Sequence, residues 1–314
     1  MDTLITDQPD VAAACIQKGE LAAFPTETVY GLGADAFNPE AVRKIFVAKG
    51  RPSDNPLIVH IGTISDIDRL TDSVSPVAQV FINHFFPGPL TLVLPRSASV
   101  PDITSAGLPT IGVRMPAHPI AQAFLLAAGT PVAAPSANLS GRPSPTTWEA
   151  VATDLTGRIA CILKGPQSDA GLESTVVDCT QADPVVLRPG AVTIEQLREV
   201  VPNTISASTD PALLARSPGT KYRHYAPTGH VRLVASPRLI PPQPGAAYIG
   251  LEPPPHDRML FPVKVCADAA HYAHELFDFF RLCDAVGVRT IYCQTVEPTG
   301  IGRALMDRLN RAAA

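Results

Sequence analysis

The stretch from Phe24 to Ile61, FPTETVYGLGADAFNPEAVRKIFVAKGRPSDNPLIVHI, leaves this chain few ways to fold. Pro39 to Ala48 reads as a helix with Asn38 as N-cap. Pro39 suits the first helical position, where its fixed φ matches the helix and its missing N–H costs no bond. Leu21 to Phe24 and Leu57 to Ile61 are short apolar runs on either side, which read as strands. A strand–helix–strand unit follows, with chemistry at its junctions: a hydroxyl-rich Thr26-Glu27-Thr28 turn, a Gly31-x-Gly33 bend, the cations of Lys49-Gly50-Arg51, and His60 at a strand end. Such an arrangement suits an anion.

The alternation continues through the first two-thirds of the chain. Asp10 to Lys18 reads as a helix closed by Gly19, Pro76 to Phe85 as an amphipathic helix, and Pro119 to Ala128 as a third; Leu90 to Leu94, Ile111 to Arg114 and Val132 to Ala134 read as strands. An α/β sheet domain is expected over residues 1–205. Residues 203 to 220 shift to Ser, Thr, Ala and Pro, so residues 206–228 are expected to be a connector. Residues 229–314 should form a smaller Rossmann-like α/β domain, with strands Val231 to Ala235, Ala246 to Leu251 and Thr290 to Val296 and helices Asp268 to Val286 and Arg303 to Arg311.

Other classes are disfavoured. A net charge of −4 supplies no general basic field for nucleic acid, so any RNA contact would have to be local or delegated to a partner. Six cysteines without a Cys-x-x-Cys pair speak for buried free thiols in a cytoplasmic protein. The N-terminus is acidic at Asp2, Asp7 and Asp10, unlike a secretory signal, and the most apolar stretch, Pro119 to Pro135, is broken by Gln122, Gly129 and Thr130. Gly31-x-Gly33-x-x-Ala36 fails as a dinucleotide fingerprint because Pro25 to Tyr30 separate it from the preceding strand. His271, His274 and Glu275 read as a solvated helix face, not as metal ligands.

Lys49 and Arg51 have an ordinary explanation in the helix dipole, which favours cations at a C-terminus. Arg114, Arg142 and Arg188 shift the balance towards a ligand, since each lies beside a Pro, a Gly or a strand end, where backbone geometry is preset. Ser136-Ala137-Asn138 follows another strand and adds hydroxyl and amide groups.

These segments, with Phe86-Pro87-Gly88-Pro89-Leu90-Thr91, Gly112 to Pro116, Gly171-Leu172-Glu173-Ser174-Thr175-Val176, Leu187-Arg188-Pro189-Gly190 and Ser217 to Pro227, resemble the YrdC/Sua5 family of threonylcarbamoyl-adenylate synthases, in its long two-domain form. Phe86 stands where the family usually has Trp, and Thr220 where it has Met. The resemblance implies a YrdC-like twisted mixed sheet and a reaction of L-threonine, bicarbonate and ATP, with Mg2+, that yields threonylcarbamoyl-AMP for tRNA t6A modification, the product passing to the tRNA threonylcarbamoyl-transfer machinery. It also implies site residues. Lys49, Arg51, Asn55, Ser136, Asn138, Arg142 and Arg188 would hold ATP, with Lys49 and Arg51 catalytic. Thr26 or Thr28, His60, Arg114 and Ser174 would hold threonine, and Glu27 and Glu173 are the nearby carboxylates. Lys221 to Tyr225 set two cations, an imidazole and two aromatics in an otherwise bland connector, so this segment is expected to fold across the mouth of the ATP site with Tyr222 or Tyr225 contacting the nucleotide. Rival readings are a carbamoyl-adenylate domain of the hydrogenase-maturation type, a double-stranded-RNA-binding module and an ATP sensor.

Overall fold

The computed structural model describes residues 2–207, 215–217, 225–242 and 244–314. Its larger sheet has eleven strands: β1 (Leu4–Thr6), β2 (Ala22–Phe24), β3 (Gly31–Asp35), β4 (Ile58–His60), β5 (Leu90–Pro95), β6 (Thr110–Arg114), β7 (Val132–Ala134), β8 (Cys161–Leu163), β9 (Thr175–Asp178), β10 (Val185–Arg188) and β11 (Ile205–Ser206). They lie in the order β1-β8-β2-β3-β7-β4-β6-β5-β9-β10-β11. The sheet is mixed: β4 runs parallel to β6, while β2/β3 and β4/β7 are antiparallel. Helices α1 (Pro9–Gln17), α2 (Pro39–Lys49), α3 (Ile67–Leu70), α4 (Pro76–Phe85), α5 (Asp102–Ser105), α6 (Pro119–Ala128), α7 (Trp148–Leu155) and α8 (Ile194–Val200) accompany it.

Helix α2 begins as its sequence predicts, the Asn38 side chain accepting from the Glu40 and Ala41 amides at 3.0 and 3.1 Å. It ends at Gly50, whose φ of 61° lies in the left-handed region. One expectation is corrected. Gly31-x-Gly33 is not a bend but part of β3, paired with β2. A Cβ on Gly31 would lie 3.0 Å from the Phe24 ring and one on Gly33 2.7 Å from Val132 Cγ1, so these glycines admit neighbouring side chains instead of turning the chain.

The smaller sheet holds β12 (His230–Val234), β13 (Ala246–Gly250), β14 (Val263–Val265) and β15 (Thr290–Gln294), all parallel, in the order β12-β15-β13-β14. Its helices are α9 (Ala269–Ala285), capped by Asp268, and α10 (Ile301–Ala313). The start of the expected connector extends the larger sheet, because Ile205–Ser206 pairs with Val185–Val186 as β11.

The two units share an apolar cluster in which Val29 and Leu172 join Tyr225, Tyr272, Phe277 and Leu305. Gly171 permits this approach: a Cβ there would sit 2.4 Å from the His274 Cα. Polar contacts add to it, Gln167 Nε2 donating to Asp278 (2.8 Å) and Arg281 Nη2 to Asp154 (3.0 Å). His271 and Lys264 pair with Glu275, and His274 Nδ1 contacts the Asp169 carbonyl, so this group serves ion pairs and the interface. The described cysteines are free thiols, and five of the six are buried. Among the described residues no helix is long and apolar enough to cross a membrane.

Candidate active site

The parallel register of β4 and β6 sets His60 opposite Arg114. Both are the last residues of their strands, so both side chains reach the same sheet edge. Ser174 enters there at the start of β9 and Arg188 at the end of β10, while the Gly31–Ser136 bridge closes the other side. The result is a cavity of about 570 Å³, counted with its open mouth. Its walls include Thr26, Thr28, Arg51, His60, Arg114, Ser136, Glu173, Ser174, Arg188 and Tyr225.

Arg114 is buried and braced on three sides. Nη2 lies 2.7 Å from Glu27 Oε1, Nη1 donates to Thr28 Oγ1 at 2.8 Å, and Nε donates to the Gly88 carbonyl at 3.3 Å, which gives the Phe86 to Thr91 turn a role in holding it. Burial alone would raise the Glu27 pKa, but the Arg114 guanidinium outweighs it and holds the carboxyl below its ordinary value. Burial, helped by the Arg114 charge, pushes His60 down to about 3, so its imidazole is neutral at physiological pH. Thr26 Oγ1 donates to the Val29 carbonyl (2.6 Å) and closes its own turn, whereas Thr28 is the hydroxyl bound to Arg114. Ser174 Oγ and Thr91 Oγ1 share a hydrogen bond (2.9 Å), and Arg188 Nη2 donates to the Ser174 carbonyl and hydroxyl.

Not every expected residue faces the cavity. Lys49 is 3 % exposed, and its ammonium donates to the Ser136 and Asn138 carbonyls, so it fastens the Ser136–Asn138 loop from behind. Burial, then the Arg51 charge, pulls its pKa well below the ordinary lysine value. Asn138 supports the same loop, accepting from Ser136 Oγ and donating to the Leu139 and Arg142 carbonyls. Arg142 turns to Asp154 (3.0 Å) and lines a separate cleft with Arg281 and Asp278. Asn55 is buried behind Arg51, whose Nη2 reaches the Pro56 carbonyl at 3.3 Å; Asn55 Nδ2 has no hydrogen-bond partner among the described residues. Tyr222 and the rest of the Lys221–His224 segment lie outside the described residues.

Tyr225 is described, and it lines the cavity with φ of 67°. For a bulky residue that conformation costs about 1–3 kcal/mol, so its surroundings must impose it. The ring stacks on Phe277 (centroids 5.5 Å apart), and the guanidinium of Arg308 lies 5.3 Å from its centroid. Sequence reasoning missed Arg308. It stands on the apolar stripe of α10, in step with Ala304, Leu305 and Ala312, and a lone cation on a core-facing stripe was the available signal.

Glu173, which lines the cavity, is paired with Arg308, and Glu27 is paired with Arg114. Among the described residues no group of three His, Cys, Asp or Glu side chains could hold a metal ion.

Comparison with known proteins places this geometry in context. Residues 14–190 match a family model for Sua5, YciO and YrdC proteins described as "Telomere recombination", and residues 192–314 match one described as "Threonylcarbamoyl-AMP synthase, C-terminal domain". The threonylcarbamoyl-AMP synthase of Bacillus subtilis is 44% identical, with 99% of this chain and 95% of that protein aligned. That of Pyrococcus abyssi is 42% identical, over 96% and 93%. A crystal structure of P. abyssi Sua5 complexed with L-threonine superposes with a TM-score of 0.88 at 37% identity, covering 99% of this chain and 97% of that one.

Proposed function

This chain belongs to the Sua5/YciO/YrdC family and carries the Sua5 C-terminal domain, and from that premise we propose that its cavity condenses L-threonine, bicarbonate and ATP into threonylcarbamoyl-AMP and pyrophosphate. One observation carries the assignment to this cavity: Arg51, Arg114 and Arg188 converge on a single pocket whose other walls are rich in hydroxyls, from Thr26, Thr28, Ser136 and Ser174. Among the described residues no Ser-His-Asp arrangement faces it, and the chemistry does not need one. The threonine amine and bicarbonate combine, with loss of water, to a carbamate; its oxygen bonds to the α-phosphorus of ATP as the bond to the β-phosphate oxygen breaks, a nucleotidyl transfer. The nucleophile is anionic already, so the protein's work is alignment and charge neutralisation.

Arg51 and Arg188 serve the phosphates, with Asn55 supporting Arg51 through its backbone carbonyl. Arg114, oriented by Glu27 and Thr28, serves the threonine carboxylate. Thr28 is a better candidate than Thr26 for contact with the substrate, since Thr26 is committed to its turn. Lys49, Asn138 and Arg142 act through the loop they hold. Mg2+ would enter with the nucleotide and supply charge neutralisation there; Glu27 and Glu173 are each engaged by an arginine, which favours that route over a protein-held ion. The product is destined for t6A modification of tRNA.

The deciding assay is pyrophosphate release from ATP and bicarbonate with threonine, serine, glycine or no amino acid. Release independent of the amino acid would overturn the assignment.

A further inference from the structure

We propose that Arg308, on the last helix of the second domain, is a positioning residue for the site of the first, acting through Glu173 and Tyr225. The inference rests on the ATP-dependent reading above. Arg308 is fully buried although its helix belongs to the other unit. Nε donates to Glu173 Oε2 at 2.7 Å and Nη2 to the Pro189 carbonyl at 3.0 Å, while the guanidinium plane approaches Tyr225. Glu173 and Tyr225 line the cavity themselves, and Glu173 and Pro189 directly adjoin the cavity residues Ser174 and Arg188. One side chain thus braces three separate segments of the wall.

The electrostatics give the brace a purpose. Glu173 faces a pocket built for a polyanion, and a bare carboxylate there would repel phosphate. Its other oxygen accepts from Ser144 Oγ, and the pair with Arg308 balances its charge. Asp307 holds Arg308 from behind. Arg308 therefore offsets the Glu173 charge at the cavity wall, and it helps impose the left-handed backbone of Tyr225. The second domain contributes to the reaction through this contact without offering an atom to the substrate.

The test compares wild type, Arg308→Gln, Glu173→Gln and the Glu173→Gln/Arg308→Gln double variant in the full chain, measuring ATP affinity by calorimetry, KM and kcat by pyrophosphate release, and Tm. Arg308→Gln should weaken ATP at least tenfold by exposing the Glu173 charge. The double variant, which carries no unbalanced charge, should recover ATP affinity to within about threefold of wild type while kcat stays depressed, because Tyr225 still lacks its contact with the Arg308 guanidinium. A folded Arg308→Gln protein with wild-type ATP affinity, or single effects that simply add in the double variant, would overturn the proposal. Should Arg308→Gln fail to fold, Arg308→Lys decides. It keeps the charge on Glu173 without the fork to Pro189, so kcat should fall by more than threefold at unchanged Tm, and unchanged kcat would overturn the role. Wild type that binds no ATP would instead defeat the functional reading, an outcome distinct from these.

Discussion

Lys49 Nζ lies 2.5 Å from the carbonyl oxygen of Ser136. A lysine that the family resemblance directs at phosphate thus organises the loop that forms the opposite wall. Lys49→Met should leave the Ser136 and Asn138 carbonyls without their donor and destabilise the protein by about 1–3 kcal/mol. Activity should fall through loss of loop order, and Lys49→Arg should not restore it, because the larger guanidinium has no room in a site this closed. Chemical denaturation and turnover measured together check both; a stable, inactive Lys49→Met protein would point to direct phosphate contact instead.

Arg51→Ala and Arg188→Ala should each reduce turnover on the order of 100-fold, the usual cost of removing a donor aimed at developing charge. Their effects should differ in origin. Arg188 also donates to the Ser174 carbonyl, so its loss should raise KM for threonine as well as for ATP, while Arg51→Ala should act mainly on ATP. Steady-state kinetics with each substrate varied separately distinguishes them.

Threonine should be preferred over serine by about 1–3 kcal/mol, the worth of one methyl group in a pocket. Valine should be a poor substrate, since it leaves the hydroxyl-binding groups of the cavity unpaired. Equal kcat/KM for valine and threonine would remove the case for a threonine pocket.

His60 titrates at about 3 when folded, well below the ordinary 6.5, because burial and Arg114 disfavour its charged form. With the folded value depressed, the unfolded chain binds the proton first as pH drops, so stability is full above about 6.5 and declines from there towards 3. Glu27 and Glu173, also depressed, add their loss below about 4.5. Replacing His60 by Gln should flatten the decline between pH 6.5 and 4.5 in urea titrations, and an unchanged slope would show that another group titrates there.

Chelation of Mg2+ should abolish pyrophosphate release yet leave Tm and threonine affinity unchanged, as expected of an ion carried by the nucleotide. A drop in Tm on adding chelator to the nucleotide-free protein would indicate a metal held by the chain itself.

Much of this architecture is written in local patterns. Asn38 and Pro39 start α2, apolar runs mark β4 to β7, and the shift after residue 203 foretells a second unit, because caps, periodicity and turn chemistry act over a few residues. Strands β9 and β10 escape the same reading, being short and buried on both faces with no alternation to mark them. Convergence is another matter. The resemblance named Arg51, Arg114 and Arg188 together, but the parallel register of β4 and β6 and the reversal between β9 and β10 are what bring them to one edge. Tertiary structure alone decided that Lys49 serves a loop, that Arg142 turns to Asp154 and that Arg308 reaches Glu173 across 135 residues of sequence. A local pattern tells which side of an element is buried; it carries no information on which distant charge will meet it there, and for a buried ion that partner determines whether the charge is tolerated at all.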